Sequence, residues 1–145
     1  MLTEKIIKYL KSSSDNFIEF IPEYQRTLKK YALENGFSHN DFVDFMSKYD
    51  SEIHGCEGFI INSLDDLVDY ENSITKHLIE NYGISEKYIS LFNLEIDDYL
   101  LYNKEDDSVK LIEAQNMKEL SNDVYYDEKW DSFNDFLEHF FELNK

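Results

Sequence analysis

The 145-residue chain carries 31 Asp and Glu against 14 Lys and Arg, a formal charge of −17, with 42% hydrophobic and 16% aromatic residues. That apolar content suffices to bury a core and excludes a compositionally disordered chain. The charge excludes direct capture of DNA or RNA, which requires Lys and Arg against the phosphates, and equally an anionic membrane surface; it favours a basic protein partner.

The first half reads as mostly helical. Leu2, Ile6, Ile7 and Leu10 lie at helical spacing with Thr3 as N-cap. Lys5 and Lys8 interrupt this apolar pattern, so the segment lacks the apolar block of a secretory signal, and a cytoplasmic protein is expected. A second helix begins at Pro22, the only proline, with a stripe of Tyr24, Leu28, Tyr31 and Ala32 and a terminator at Gly36. Ser38 opens a third, with Asp41 three residues on and a buried face of Phe42, Val43 or Phe45, Met46 and Tyr49.

The pattern changes after Gly55. Residues Gly58 to Ile61 form a short β-type run, and Ser63 to Leu67 a capped helical turn. Residues 72–82 read as helix, closed by Gly83, and Tyr88 to Leu94 as a strand. The clearest hairpin follows: Tyr99 to Tyr102, a polar turn from Asn103 to Asp107, and a return from Ser108 to Ile112, with Tyr102, Val109 and Leu111 expected on the core face. The chain closes on a helix capped by Asp131 or Ser132, whose stripe is Phe133, Phe136, Leu137, Phe140 and Phe141. There is no Gly/Ser/Pro-rich linker and no internal repeat, so one domain over residues 1–145 is expected.

Four of these stretches, in this order, resemble the SUKH superfamily of bacterial toxin-immunity proteins and fungal cell-wall assembly regulators. They are Phe37 to Tyr49, Gly58 to Leu67, Asp98 to Val109 and Trp130 to Leu137, which together span about 100 residues of the chain. The chain departs from the family before the third helix, where Ser38-His39 replaces Leu-Pro, and before the hairpin, where Glu95 to Asp98 lacks the usual glycine. The resemblance implies an α+β fold with helices packed on one side of a mostly antiparallel sheet, leaving another sheet face or edge for recognition. It also implies a non-enzymatic immunity protein that binds and neutralises a co-produced toxin, such as a nuclease or nucleic-acid deaminase. A regulatory or scaffold protein that binds a cellular partner is the second function it implies.

The chemistry suits such a partner, because a nuclease cleft is basic and an acidic inhibitor is steered onto it. Carboxylates cluster at Asp65, Asp66, Asp69 and Glu71; at Glu95, Asp97 and Asp98; and at Glu105, Asp106 and Asp107. Tyr70, Tyr99 and Tyr102 stand beside them, and tyrosines among carboxylates suit an interface that reads Arg and Lys. No Gly-rich phosphate loop, G-x-S-x-G elbow or H-E-x-x-H pair occurs. Asn103, Glu105 and Asp107 fail as a calcium loop, having Ser108 where Gly belongs. The lone Cys56 excludes a disulfide framework, and His54 with Cys56 offers only two ligands. Neither metal nor cofactor is therefore expected, with Cys56 a small buried filler and His54 a surface loop residue.

Overall fold

The computed structural model describes residues 2–12, 18–37, 39–50, 53–94 and 96–144. Expectations placed on Ser38 and Glu95 lie outside the described residues.

Helix α1 (Glu4–Ser12) buries Ile6 and Leu10 on one face. Helix α2 (Pro22–Glu34) starts with Pro22 at its first turn and buries Leu28 and Ala32. Helix α3 (Asn40–Lys48) is flanked by His39, whose side chain makes no capping bond, and it buries Phe42, Phe45 and Met46. Strands β1 (Ile18–Glu19) and β2 (Tyr49–Asp50) pair as a minimal ribbon. Strands β3 (Ile53–Gly55) and β4 (Gly58–Ile60) form a hairpin across the two-residue turn Cys56-Glu57.

Helix α4 (Ser63–Val68) is capped by Asn62, whose side chain accepts from the Asp65 amide at 3.0 Å. The sequence places this start at Ser63, but the Ser63 hydroxyl donates to the Ser90 carbonyl at 2.8 Å instead. A 3₁₀ turn at Tyr70–Asn72 leads into helix α5 (Ile74–Tyr82). The Ser73 side chain caps α5, and Gly83 ends it in the left-handed conformation, φ 72°, that suits glycine.

The main sheet is antiparallel in the order β5 (Tyr88–Ser90), β6 (Tyr99–Asn103), β7 (Val109–Ile112), β8 (Glu128–Trp130). A 3₁₀ segment at Ala114–Glu119 follows β7, and α6 (Phe133–Phe140) closes the chain, capped by Ser132. The protein is thus α+β with antiparallel sheets, as the sequence implies.

Alternation along the strands divides the interior in two. Ile89, Leu100, Tyr102, Val109 and Leu111 face the larger core, which α1, α2, α3, α4 and α6 complete. Tyr88, Leu101 and Ile112 face a smaller core closed by Leu78 of α5 together with Ile84 and Leu120. This second layer covers the sheet face that the sequence reading leaves free for recognition. The open edge of β5 is occupied too: the Ser90 amide donates to Thr75 Oγ1 at 2.9 Å, and its carbonyl accepts from Ser63. Two helix-start hydroxyls thereby take up the edge groups that would otherwise invite another strand. Among the described residues no helix is long and apolar enough to cross a membrane.

Candidate functional site

The three acidic clusters occupy separate places. Asp97 and Asp98 precede β6 and Glu105 to Asp107 follow it, so the five residues of β6 hold the two groups about 17 Å apart at ~3.3 Å per residue. Several members have internal work. Asp98 accepts from the Ala114 amide at 2.9 Å, capping the 3₁₀ segment. Asp107 is buried and accepts from the Tyr102 hydroxyl at 2.7 Å and the Phe133 amide at 3.3 Å, tying the hairpin turn to the start of α6. Tyr102 is itself buried, with its ring stacked 4.0 Å from that of Phe42. Tyr99 is half-buried beside Tyr82.

At the turn, Glu105 and Asp106 remain exposed. Asp106 accepts from the Ser108 amide at 2.9 Å and from its hydroxyl. Partial burial pushes the Asp106 carboxyl up, but these bonds, with Lys129 and Lys87 nearby, hold it below the usual carboxylate range. Two lysines therefore offset part of the negative charge at this tip.

The cluster on α4 and the following 3₁₀ turn differs. Asp65 receives a hydrogen bond from the Tyr24 hydroxyl, and Asp66 accepts from the Ile74 amide at 3.0 Å at the start of α5. Burial raises the Asp66 carboxyl above its ordinary value, the Ile74 bond working against this and the Asp65 and Asp69 charges adding to it. Asp69, Tyr70 and Glu71 are exposed, with Tyr70 at 41% and the neighbouring Val68 at 48%. Lys76 forms ion pairs with Glu71 and, at 3.4 Å, with Glu80. Beside them a groove of about 220 Å³ runs between α2, α4, α5 and β5, lined by Tyr31, Phe37, Leu67, Tyr70, Tyr88 and Lys104. The Tyr31 hydroxyl donates to the Leu67 carbonyl at 2.8 Å, fixing one wall. Of the sequence-predicted residues, Tyr70 is the exposed aromatic that lines this groove, with exposed Asp69 next to it in the chain.

A second constellation joins residues that the sequence reading kept apart. Cys56 is exposed, not a buried filler. Its Sγ lies 3.5 Å from His139 Nε2, and that nitrogen lies 2.7 Å from Glu57 Oε1. His54, expected as a surface loop residue, is exposed on β3 and packs against Phe59. The turn reaches His139 because the Cys56 amide donates to the Phe140 carbonyl at 2.9 Å. Although Cys56 is exposed, partial desolvation raises its thiol above its ordinary value, and Glu57, Glu142 and Glu128 raise it further against a backbone hydrogen bond that lowers it. This disfavours a free thiolate nucleophile, whose activation requires positive surroundings. No sequence signal pairs these groups, since 82 or 83 positions separate His139 from the turn.

The protein matches no protein-family model, no curated protein and no solved structure.

Proposed function

We propose that this protein is a non-enzymatic binding module that captures a basic protein partner on the Tyr70 surface, in the manner of an immunity protein that neutralises a toxin. The observation that carries the reading is the half-exposed Tyr70, set between Asp69 and Glu71 at the mouth of a groove on a chain of net charge −17. A tyrosine offers a large contact area at low entropic cost, and flanking carboxylates select Arg and Lys. The overall field steers a basic partner over about 8 Å at physiological salt, while buried anchors set the residence time.

The toxin class, a nuclease or nucleic-acid deaminase acting in the cytoplasm, comes from the SUKH resemblance together with this charge logic. Such enzymes hold phosphates in basic clefts, which an acidic surface complements. Fold-level likeness is a weaker warrant for function than a site, so the test is set on the site.

The experiment is binding to a basic toxin domain, sought first among the products of neighbouring genes, by surface plasmon resonance at several salt concentrations. Association should slow steeply with salt. Tyr70→Ala should weaken binding by about 2 kcal/mol or more, and the pair Asp69→Lys with Glu71→Lys should slow association. Reversal of Glu105 and Asp106 at the hairpin tip should have the smaller effect. Asp107 is unsuitable for reversal, being buried in the fold. Full binding by the Tyr70 and Asp69/Glu71 variants would remove this surface from the interface, and salt-independent association would remove the electrostatic argument.

A further inference from the structure

The turn between β3 and β4 and the last turn of α6 bring three unlike donors together: a thiol, an imidazole and a carboxylate. The ligand atoms of Cys56, Glu57 and His139 all lie within 4.8 Å of one another. For a tetrahedral zinc ion with Zn–S about 2.3 Å and Zn–N about 2.0–2.1 Å, the sulfur and nitrogen stand about 3.6 Å apart. The Sγ to Nε2 distance of 3.5 Å already satisfies that edge. The contact of 2.7 Å between Glu57 and Nε2 is a hydrogen bond, which opens by roughly 0.6 Å when both atoms turn to a shared ion.

The scaffold holds these groups in place: the Cys56 thiol also donates to the His139 carbonyl at 3.3 Å, and the His139 ring packs on Trp130. Gly55 packs directly on Phe140, and the Cys56 amide is fastened to the Phe140 carbonyl, so the turn has a fixed position against α6. The surroundings favour a cation: Glu138 and Glu142 line the same depression, of about 390 Å³, which leaves space for a fourth ligand. Thiolate, imidazole and carboxylate together suit a borderline-soft ion, not magnesium or calcium, which take oxygen alone.

We propose that Cys56, Glu57 and His139 bind one divalent ion of the zinc class, with the fourth position open to water. Cys56 binds as the thiolate, its proton passing to solvent, and neutral His139 binds through Nε2. The ion cross-links the β3–β4 turn to the end of α6. The site does not depend on the Tyr70 surface, so either assignment can fail alone.

The test is cobalt titration of the metal-free full-length protein, followed by displacement with zinc. One equivalent of cobalt should give a near-ultraviolet thiolate-to-cobalt band and visible bands of tetrahedral strength, and zinc should abolish both. Cys56→Ser lies at an exposed position and should remove the thiolate band while keeping the circular dichroism of the fold. Glu57→Gln and His139→Asn should each weaken zinc binding by at least roughly tenfold, the lower bound for losing even an outer-shell partner. His54→Ala should leave the titration unchanged. Absence of the thiolate band, equal binding by Cys56→Ser, or binding of several ions that salt removes would overturn the proposal, the last marking diffuse attraction to the acidic surface.

Discussion

Asp107 stands at a backbone φ of 68°, the left-handed region that few side chains other than Gly, Asn and Asp adopt readily. Its carboxylate serves two donors from different elements, the Tyr102 hydroxyl and the Phe133 amide. Asp107→Ala strains the backbone and leaves a buried hydroxyl without its acceptor, so about 2–4 kcal/mol should be lost in urea unfolding. Asp107→Asn keeps the conformation and one acceptor and should lose less; equal losses would refute this account. Tyr102 gives the same pair a pH dependence. Burial, and then the Asp107 bond and charge, push its phenol well above 10. A group raised in the folded state contributes stability in full below its unfolded value near 10, and that contribution fades as pH climbs beyond it. Stability should fall on alkaline titration, with a shallower fall in Tyr102→Phe. The slope should not vanish, because Tyr31, Tyr49, Tyr88 and Tyr99 are raised by burial as well.

Between elements, the contact of the β3–β4 hairpin with α6 depends on a missing side chain. A Cβ at Gly55 would lie 2.5 Å from the Phe140 ring and 2.6 Å from the Phe140 carbonyl oxygen. The ring can rotate, but the carbonyl belongs to the helix backbone and cannot. Gly55→Ala should therefore destabilise by about 1–3 kcal/mol and lift the turn off the helix. Alkylation of Cys56 should quicken in parallel, since its amide and thiol lose their places against Phe140 and His139; unchanged alkylation together with unchanged stability would show that the contact is dispensable. This contact was also the hardest to read from sequence. The β6–β7 hairpin and the α6 stripe were legible because their signals are local: alternation around a polar turn, and Phe133, Phe136, Leu137 and Phe140 at helical spacing. Strands of two or three residues, such as β1, β2, β3 and β8, are too short to show a period. Asn62 and Ser63 are both good caps by type, and the choice between them was made by the Ser90 carbonyl, 27 positions on. The Cys56–Glu57–His139 cluster was hidden for the same reason. Tyr70 and Tyr102 both stand beside acidic clusters in the sequence, and only packing separates an exposed ring from one stacked on Phe42.

Across the whole molecule, the field of 17 excess negative charges acts on folding as well as on association. Lysines relieve it only in part. The pairs of Lys30 with Glu34, Lys29 with Asp44 and Lys76 with Glu80 lie at the surface, where water and salt screen them and each contributes little. Lys110 is buried and spends its charge on the Asp123 and Tyr125 carbonyls and on the Tyr88 ring, 4.3 Å away. Self-repulsion at longer range therefore persists in the folded state, where the carboxylates are held closer together than in the extended chain. Sodium chloride shortens the screening length from about 30 Å at 0.01 M to about 8 Å at 0.15 M, which removes this long-range repulsion before it weakens close ion pairs. The urea midpoint at pH 7 should rise over that range. Urea is the right denaturant because guanidinium is itself a screening salt, and chloride is preferable to sulfate, which strengthens apolar burial independently. The same added salt should slow association with a basic partner, so one field predicts two responses of opposite sign. A falling midpoint would mean that the local ion pairs outweigh the net charge in folding, and this account of self-repulsion would be wrong.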